Sequence, residues 1–297
     1  MAIIVKHLFD FILGRFGIQI FSIFLILVKS IPDSNAQLLW KISGEGLKNS
    51  SYLFGTIHVV PESLFVVWPA VDSAFRQSQL LIMEMDLDFS AAEMIEAARG
   101  MALPKGKTLS DYLPADGFEM IRAYCMDSLQ WKKRKFKRYC RMKPFYFSSL
   151  VLSDQLGKVS GYEHYFSKQA KRMNKPIRGL ETIQQQLYAI DQVSVEEQAA
   201  MLGEAIQEGR KEFESMLDLY LKRDLDALWK LMLEEGEAVD GFTSVLLNKR
   251  NANWISQLEK WLPEQPLFVA VGAGHLPGEA GLIELLRNKG FSVEAVW

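Results

Sequence analysis

What this chain most lacks is an excess of charge of one sign: 34 basic against 36 acidic residues leave a formal net charge of −2 over 297 residues. Overall attraction to nucleic acid or an anionic membrane needs a strongly basic balance, so nucleic acid is not an expected partner and any polyanion contact must be local. Cysteine is scarce, with two in all. Cys125 and Cys140 belong to no CxxC pair and have no histidine close by in the chain, which removes the support for a dithiol centre or a cysteine zinc cluster. An oxidising compartment would permit their pairing, but sequence alone does not bring them together. They are read as two small apolar residues in a helical region. HExxH, Gly-x-Ser-x-Gly and P-loop motifs are also missing, so those enzyme classes lose their usual support. The sequence holds no low-complexity linker, and no internal repeat beyond the pair of turns described below.

What is present begins with a leader. Lys6 and Arg15 precede an apolar stretch from Gly17 to Val28, followed by Pro32 and the small-residue triplet Ser34-Asn35-Ala36. This predicts a secretory signal over residues 1–36, cleaved after Ala36, and an exported protein, periplasmic in a bacterium. Left uncleaved, the segment would serve as a membrane anchor. Residues 37–297 remain as a single domain, and 49% hydrophobic content supports a real core.

Two short apolar runs, Leu38 to Ile42 and Ser51 to Ile57, read as a hairpin. A helix is expected from Pro69 to Ser78, then a strand from Leu80 to Glu84. Between about residues 90 and 262 the pattern is helical, with Pro176 to Leu180 as the exception. The chain then returns to α/β: a strand from Leu267 to Gly272, a helix from Gly278 to Lys289 and a strand from Phe291 to Val296. The expected fold is therefore α/β (α+β-like), a central sheet built from N- and C-terminal segments around a large helical insertion.

Chemistry concentrates where strands end. Four histidines occur in all, and two of them close the same kind of turn: Gly55-Thr56-Ile57-His58 and Gly272-Ala273-Gly274-His275 each follow an apolar run. Such exits are where open α/β sheets bind ligands. Glu84 leaves the third strand, and Glu181 follows the strand in the insertion. Two imidazoles with one or two carboxylates suit a divalent transition metal that activates water or polarises a carbonyl. The same groups without metal suit a general base, a general acid and an orienting partner. The plainer alternatives stay open: a histidine satisfied by a carbonyl, a glutamate stabilised by a helix dipole.

Gly161-Tyr162-Glu163-His164 opens an amphipathic helix instead of closing a strand. There Glu163 is the candidate and His164 a surface or packing residue. Arg250 is placed to hold a substrate carboxylate or an oxyanion, or else is a solvated helix-start arginine. Gly272 to Gly278 resembles a dinucleotide turn, but its spacing is one residue too long and a single strand follows it. The one dense basic run, 131–143, carries an apolar stripe of Phe136, Tyr139 and Cys140. It reads as a solvated helix face, with contact to a membrane surface or an acidic partner as the alternative.

Taken together, Leu39-Trp40-Lys41-Ile42, Tyr52 to Val59, Glu84-Met85-Asp86, Gly161-Tyr162-Glu163, Gly179-Leu180-Glu181-Thr182 with Gln186, Arg250-Asn251 with Trp254, and Val271 to Gly278 resemble the TraB/GumN family. That family is related to the TIKI metalloproteases of animals and distantly to erythromycin esterase-like proteins. The resemblance implies an active site built on the paired Gly-x-x-His motifs and acidic partners. In the animal members it implies a peptidase dependent on a divalent metal, with manganese or cobalt proposed. Carried to this chain, the metal set is His58, His275, Glu84 and Glu181, and the catalytic set is Glu84, Glu181, Glu163 and Arg250. The leading expectation is an exported, metal-dependent peptidase or amidase acting on a peptide or small molecule. A metal-free esterase and a non-catalytic binding or sequestering protein are the alternatives.

Overall fold

Short runs of buried β-branched, aliphatic and aromatic residues pair into one mixed sheet, and amphipathic helices cover it. The structure is a computed structural model describing residues 37–44, 46–236 and 244–296, so the leader expected over residues 1–36 lies outside the described residues. Strands β1 (Leu39–Ser43) and β2 (Ser51–Thr56) form the expected antiparallel hairpin, with Leu39 opposite Phe54 and Ile42 opposite Ser51. The two-residue β3 (Val60–Pro61), helix α1 (Pro69–Gln77) and β4 (Leu80–Met83) come next. Helices α2 (Ala91–Gly100), α3 (Ala115–Ala123), α4 (Lys133–Tyr139) and α5 (Pro144–Leu156) open the insertion. It continues through β5 (Val159–Ser160), α6 (Tyr162–Arg172) and β6 (Ile177–Gly179). Helices α7 (Ile183–Ile190), α8 (Val195–Gln207), α9 (Gly209–Leu221), α10 (Leu225–Gly236) and α11 (Lys249–Trp261) complete it. The chain ends with β7 (Leu267–Gly272), α12 (Leu282–Asn288) and β8 (Ser292–Ala295).

The sheet order is β6-β4-β7-β2-β1-β8. Its four strands from β6 to β2 run parallel, and β1 is antiparallel to both of its neighbours. N- and C-terminal segments therefore share one sheet around a helical insertion, as the sequence predicts. Two details differ. Helix α12 begins at Leu282, not Gly278, because Gly278 adopts φ +85° in a turn closed by the Gly281 N–H on the Gly278 carbonyl. A ribbon of β3 with β5 was not anticipated, since pairs of two residues (Val60 with Ser160, Pro61 with Val159) are too short to show alternation.

Beneath the sheet, Phe54, Phe75, Tyr162, Phe166 and Phe268 pack as one aromatic group, with Phe166 and Phe268 centroids 4.9 Å apart. A second apolar core lies among the inserted helices and includes Ile121, Phe136, Phe147 and Leu202. Cys125 and Cys140 are free thiols in that core, and burial pushes both up to about 12, the range of an inert thiol. The basic run forms α4, with Phe136, Tyr139 and Cys140 buried and Lys133, Arg134, Lys137 and Arg138 exposed.

Candidate functional site

Parallel pairing decides where the strand exits lie. Thr56 stands opposite Gly272, Met83 opposite Ala270, and Met83 opposite Gly179, so β2, β7, β4 and β6 end at nearly the same level along one edge. The β4–β6 pairing continues beyond the strands, with the Leu180 N–H donating to the Met83 carbonyl (2.9 Å) and the Glu181 N–H to the Glu84 carbonyl (2.9 Å). His58, His275, Glu84 and Glu181 leave from these four ends.

Gly272 marks the point they share. A Cβ built on it would lie 3.2 Å from Glu84 Oε1, 3.6 Å from His58 Nε2 and 3.6 Å from His275 Cδ2. Its backbone, φ −50° and ψ 136°, is open to any residue. Glycine here is a matter of space: it leaves a small gap between a carboxylate and two imidazoles. His58, Gly272 and His275 also line one cavity of about 50 Å³.

Each imidazole is held at Nδ1. His58 Nδ1 lies 3.0 Å from Glu163 Oε1, and the Thr56 hydroxyl donates to the same oxygen at 2.5 Å. Gly161 allows this approach, because a Cβ there would fall 2.6 Å from the His58 carbonyl oxygen. Burial acts to raise the Glu163 carboxyl, but the His58 charge and the bonds from His58 and Thr56 outweigh it, and the group sits below its ordinary range. An ionised Glu163 accepts from Nδ1–H and turns Nε2 of His58 toward the gap.

His275 Nδ1 lies 2.7 Å from Asn251 Oδ1. The Asn251 amide nitrogen donates to the His275 carbonyl (3.2 Å) and the Ala280 carbonyl (2.8 Å), which fixes the amide orientation. Nδ1 must then be the donor, so His275 carries its lone pair on Nε2. Burial, with Arg250 and His58 adding to it, lowers this imidazole well below its ordinary value, and the ring is neutral. Trp254 packs against it, centroids 4.3 Å apart.

Arg250 binds the acidic side of the site together. Its Nη2 donates to Glu84 Oε2 (2.7 Å) and to Glu181 Oε1, and its Nε to both Glu181 oxygens (3.1 Å each). Nη1 donates to the Leu246 carbonyl (2.9 Å) and meets His275 Nε2 at 3.1 Å. Glu84 Oε1 accepts the Gly272 N–H (2.8 Å), and Trp254 Nε1 donates to Glu181 Oε2 (3.2 Å). Burial raises the Glu181 carboxyl against the opposing pull of Arg250. Burial tends to lower the Arg250 guanidinium, but Glu84 and Glu181 more than offset this and raise it.

All six residues singled out from the sequence lie in this one buried cluster. His164 is exposed on α6. Arg250 is a buried clamp instead of a solvated helix-start residue. Thr56 and Asn251 were not singled out, although Asn251 stands beside Arg250 at the start of α11; their role follows only from burial against a histidine.

The donor types are those a divalent transition ion takes, and His58 Nε2 and Glu84 Oε1 border the gap beside Gly272, whereas His275 turns Cδ2 to it and keeps Nε2 on Arg250. Glu181 differs from the expected ligand set, since Arg250 and Trp254 engage both its oxygens. Among the described residues no three His, Cys, Asp or Glu side chains are placed so that together they could hold a metal ion as they stand. His275 Nε2 is 3.8 Å from Glu84 Oε1 and is engaged by Arg250.

The chain is 24% identical to metalloprotease TIKI2 of Xenopus tropicalis over 90% of its own length and 61% of that protein. It is 24% identical to metalloprotease TIKI1 of Danio rerio, over 89% and 64% respectively. It is also 24% identical to an uncharacterized protein of Treponema pallidum, over 88% of this chain and 83% of that one. The chain thus spans about three-fifths of the length of these TIKI proteins. No solved structure matches it. A family profile matches residues 38–295, and the chain belongs to the TraB/PrgY/gumN family.

Proposed function

We propose that the protein is a hydrolase of peptide or related amide bonds that uses a divalent metal ion held by His58, His275 and Glu84. The observation that carries this reading is the gap beside Gly272, bordered by Glu84 Oε1, His58 Nε2 and the His275 ring. Composition supports it: the carboxyl groups of Glu84, Glu163 and Glu181 surround a site in which, among the described residues, Arg250 supplies the guanidinium, and the His275 imidazole is neutral. When bound, a divalent ion lowers the pKa of water and polarises a carbonyl.

The protein's own groups do the rest. Glu163 and Asn251 orient the two imidazoles through Nδ1. The Arg250 contact with His275 Nε2 would have to yield for that nitrogen to serve as a ligand. Glu181, with both oxygens held by Arg250 and Trp254, positions that guanidinium beside the site. The manganese or cobalt preference of the resemblance stays part of this proposal. So does export, which rests on the composition of the leader; among the described residues no helix is long and apolar enough to cross a membrane.

One observation favours a second reading. The Glu163–His58 pair, with the Arg250–His275 contact left intact, is the arrangement of a metal-free general base acting on an ester or amide. Metal analysis of the purified protein and of His58→Ala and His275→Ala, read beside a peptide-library cleavage assay with and without chelator, separates the two. Bound metal lost in both variants, and cleavage abolished by chelator, is the expected result. Cleavage that survives chelator but not His58→Ala moves the assignment to the metal-free route. Tight peptide binding without product would make the protein a sequestering one.

A further inference from the structure

The cavity shared by the two imidazoles takes its polar groups from Thr56, His58, Tyr220 and His275. Much of the rest of its wall is apolar: Phe213 and Met216 of α9, Leu228 and Met232 of α10, and Leu247. Tyr220 adds a ring but no free hydroxyl, since its O–H donates to the Gly55 carbonyl at 3.0 Å. The Met232 thioether lies over Gly274, and Leu247 Cδ1 is 3.8 Å from where a Gly274 Cβ would be. Among the described residues no Lys, Arg, Asp or Glu lines this cavity. Arg250, the cation nearest to it in the site, has all three nitrogens committed to Glu84, Glu181, Leu246 and His275. Against the Phe213, Met216, Leu228, Met232 and Leu247 side of the lining, a charged side chain would meet no counter-ion among the described residues.

We propose that this cavity is the specificity pocket of the site and receives an aliphatic side chain of leucine or methionine size, next to the bond to be cleaved. The inference rests on the peptidase reading above. A volume of about 50 Å³, the gap beside Gly272 included, takes three to five water-sized groups at roughly 10–15 Å³ each, the upper end being a four-atom side chain with one group left for the gap. Leucine, isoleucine and methionine side chains each have four heavy atoms, and tryptophan has too many. Met216 and Met232 give the wall the adaptability of unbranched thioethers, so the pocket selects for apolar character and size more than for branching.

The test uses peptides that differ at one position flanking the cleaved bond. A second arm is independent of turnover: NMR titration with N-acetyl-leucinamide and N-acetyl-aspartamide. Leucine and methionine peptides should exceed aspartate and glycine peptides by roughly 10- to 200-fold in kcat/KM, and only N-acetyl-leucinamide should shift resonances of the pocket. In Met232→Lys, half-buried and tolerant of a long side chain, the preference should swing toward aspartate. Leu247→Ala should extend acceptance to phenylalanine. Cleavage without an apolar preference, or a preference that Met232→Lys leaves unchanged, overturns the pocket assignment but not the peptidase reading. No cleavage of any peptide, with N-acetyl-leucinamide still bound and lost in Met232→Lys, overturns the peptidase reading and keeps the pocket. No binding of N-acetyl-leucinamide overturns the pocket.

Discussion

The two Gly-x-x-His turns are near copies in sequence and differ in what holds them. One stands at the end of β2, where a carboxylate grips His58 at Nδ1 and Thr56 shares the same oxygen. The other follows β7, where the amide of Asn251 grips His275, and Trp254 and Arg250 close around the ring. A carboxylate partner increases the basicity of an imidazole, whereas a neutral amide orients it without adding charge. The same motif thus carries a charged partner at one position and a neutral amide at the other, where burial keeps the His275 ring neutral. The pair is alike in being held at Nδ1 and unlike in electrostatics, which allows two roles at one point.

Removing either ring should be the largest perturbation. His58→Ala and His275→Ala should each lower turnover by about 10²- to 10⁴-fold, measured as kcat/KM on a cleaved peptide; retention of activity by either variant would break the pairing. Next comes Arg250→Met, which strips a guanidinium from beside Glu84 and Glu181 and leaves the Glu163–His58 contact in place. Breaking a buried charge cluster costs about 3–5 kcal/mol, seen as a lowered midpoint of thermal unfolding. An unchanged midpoint would show that Glu84 and Glu181 do not depend on that clamp. Exchanging the partners sharpens the contrast. Glu163→Gln gives His58 an amide like that of its counterpart and should cost about 10- to 100-fold in metal affinity or activity. Asn251→Asp gives His275 a carboxylate and should change the pH profile, leaving the fold in place. The smallest effect is expected far from both turns: reversing the charges of Lys133, Lys137 and Arg141 should change stability by no more than about 0.5 kcal/mol and leave turnover unaltered.

The strands β1, β2, β4 and β7 were legible because each is a compact apolar run bounded by glycine or charge, and their exits pointed to His58, His275 and Glu84. Glu181 was legible for the same reason, although its engagement by Arg250 was not. The β3–β5 ribbon was invisible: two residues a side carry no period, yet it ties the chain after His58 to the chain before Glu163. Thr56 and Asn251 were missed for a related reason. A hydroxyl at a strand end and an amide in a helix look like any other polar residues until tertiary packing buries them against a histidine. Gly272 was read as a turn residue. Its importance is volumetric, and volume is not written in one dimension.

The central claim is that His58 Nε2 and His275 Nε2 share one ion-binding point beside Gly272, and pulsed EPR of bound Mn²⁺ tests it most directly. Two imidazole nitrogen couplings are expected in the unaltered protein, one in each of His58→Ala and His275→Ala, and no bound ion in Gly272→Ala, where a methyl group fills the gap in an otherwise native fold. An ion that keeps its nitrogen couplings in the single variants, or that binds Gly272→Ala as it binds the unaltered protein, would contradict the account.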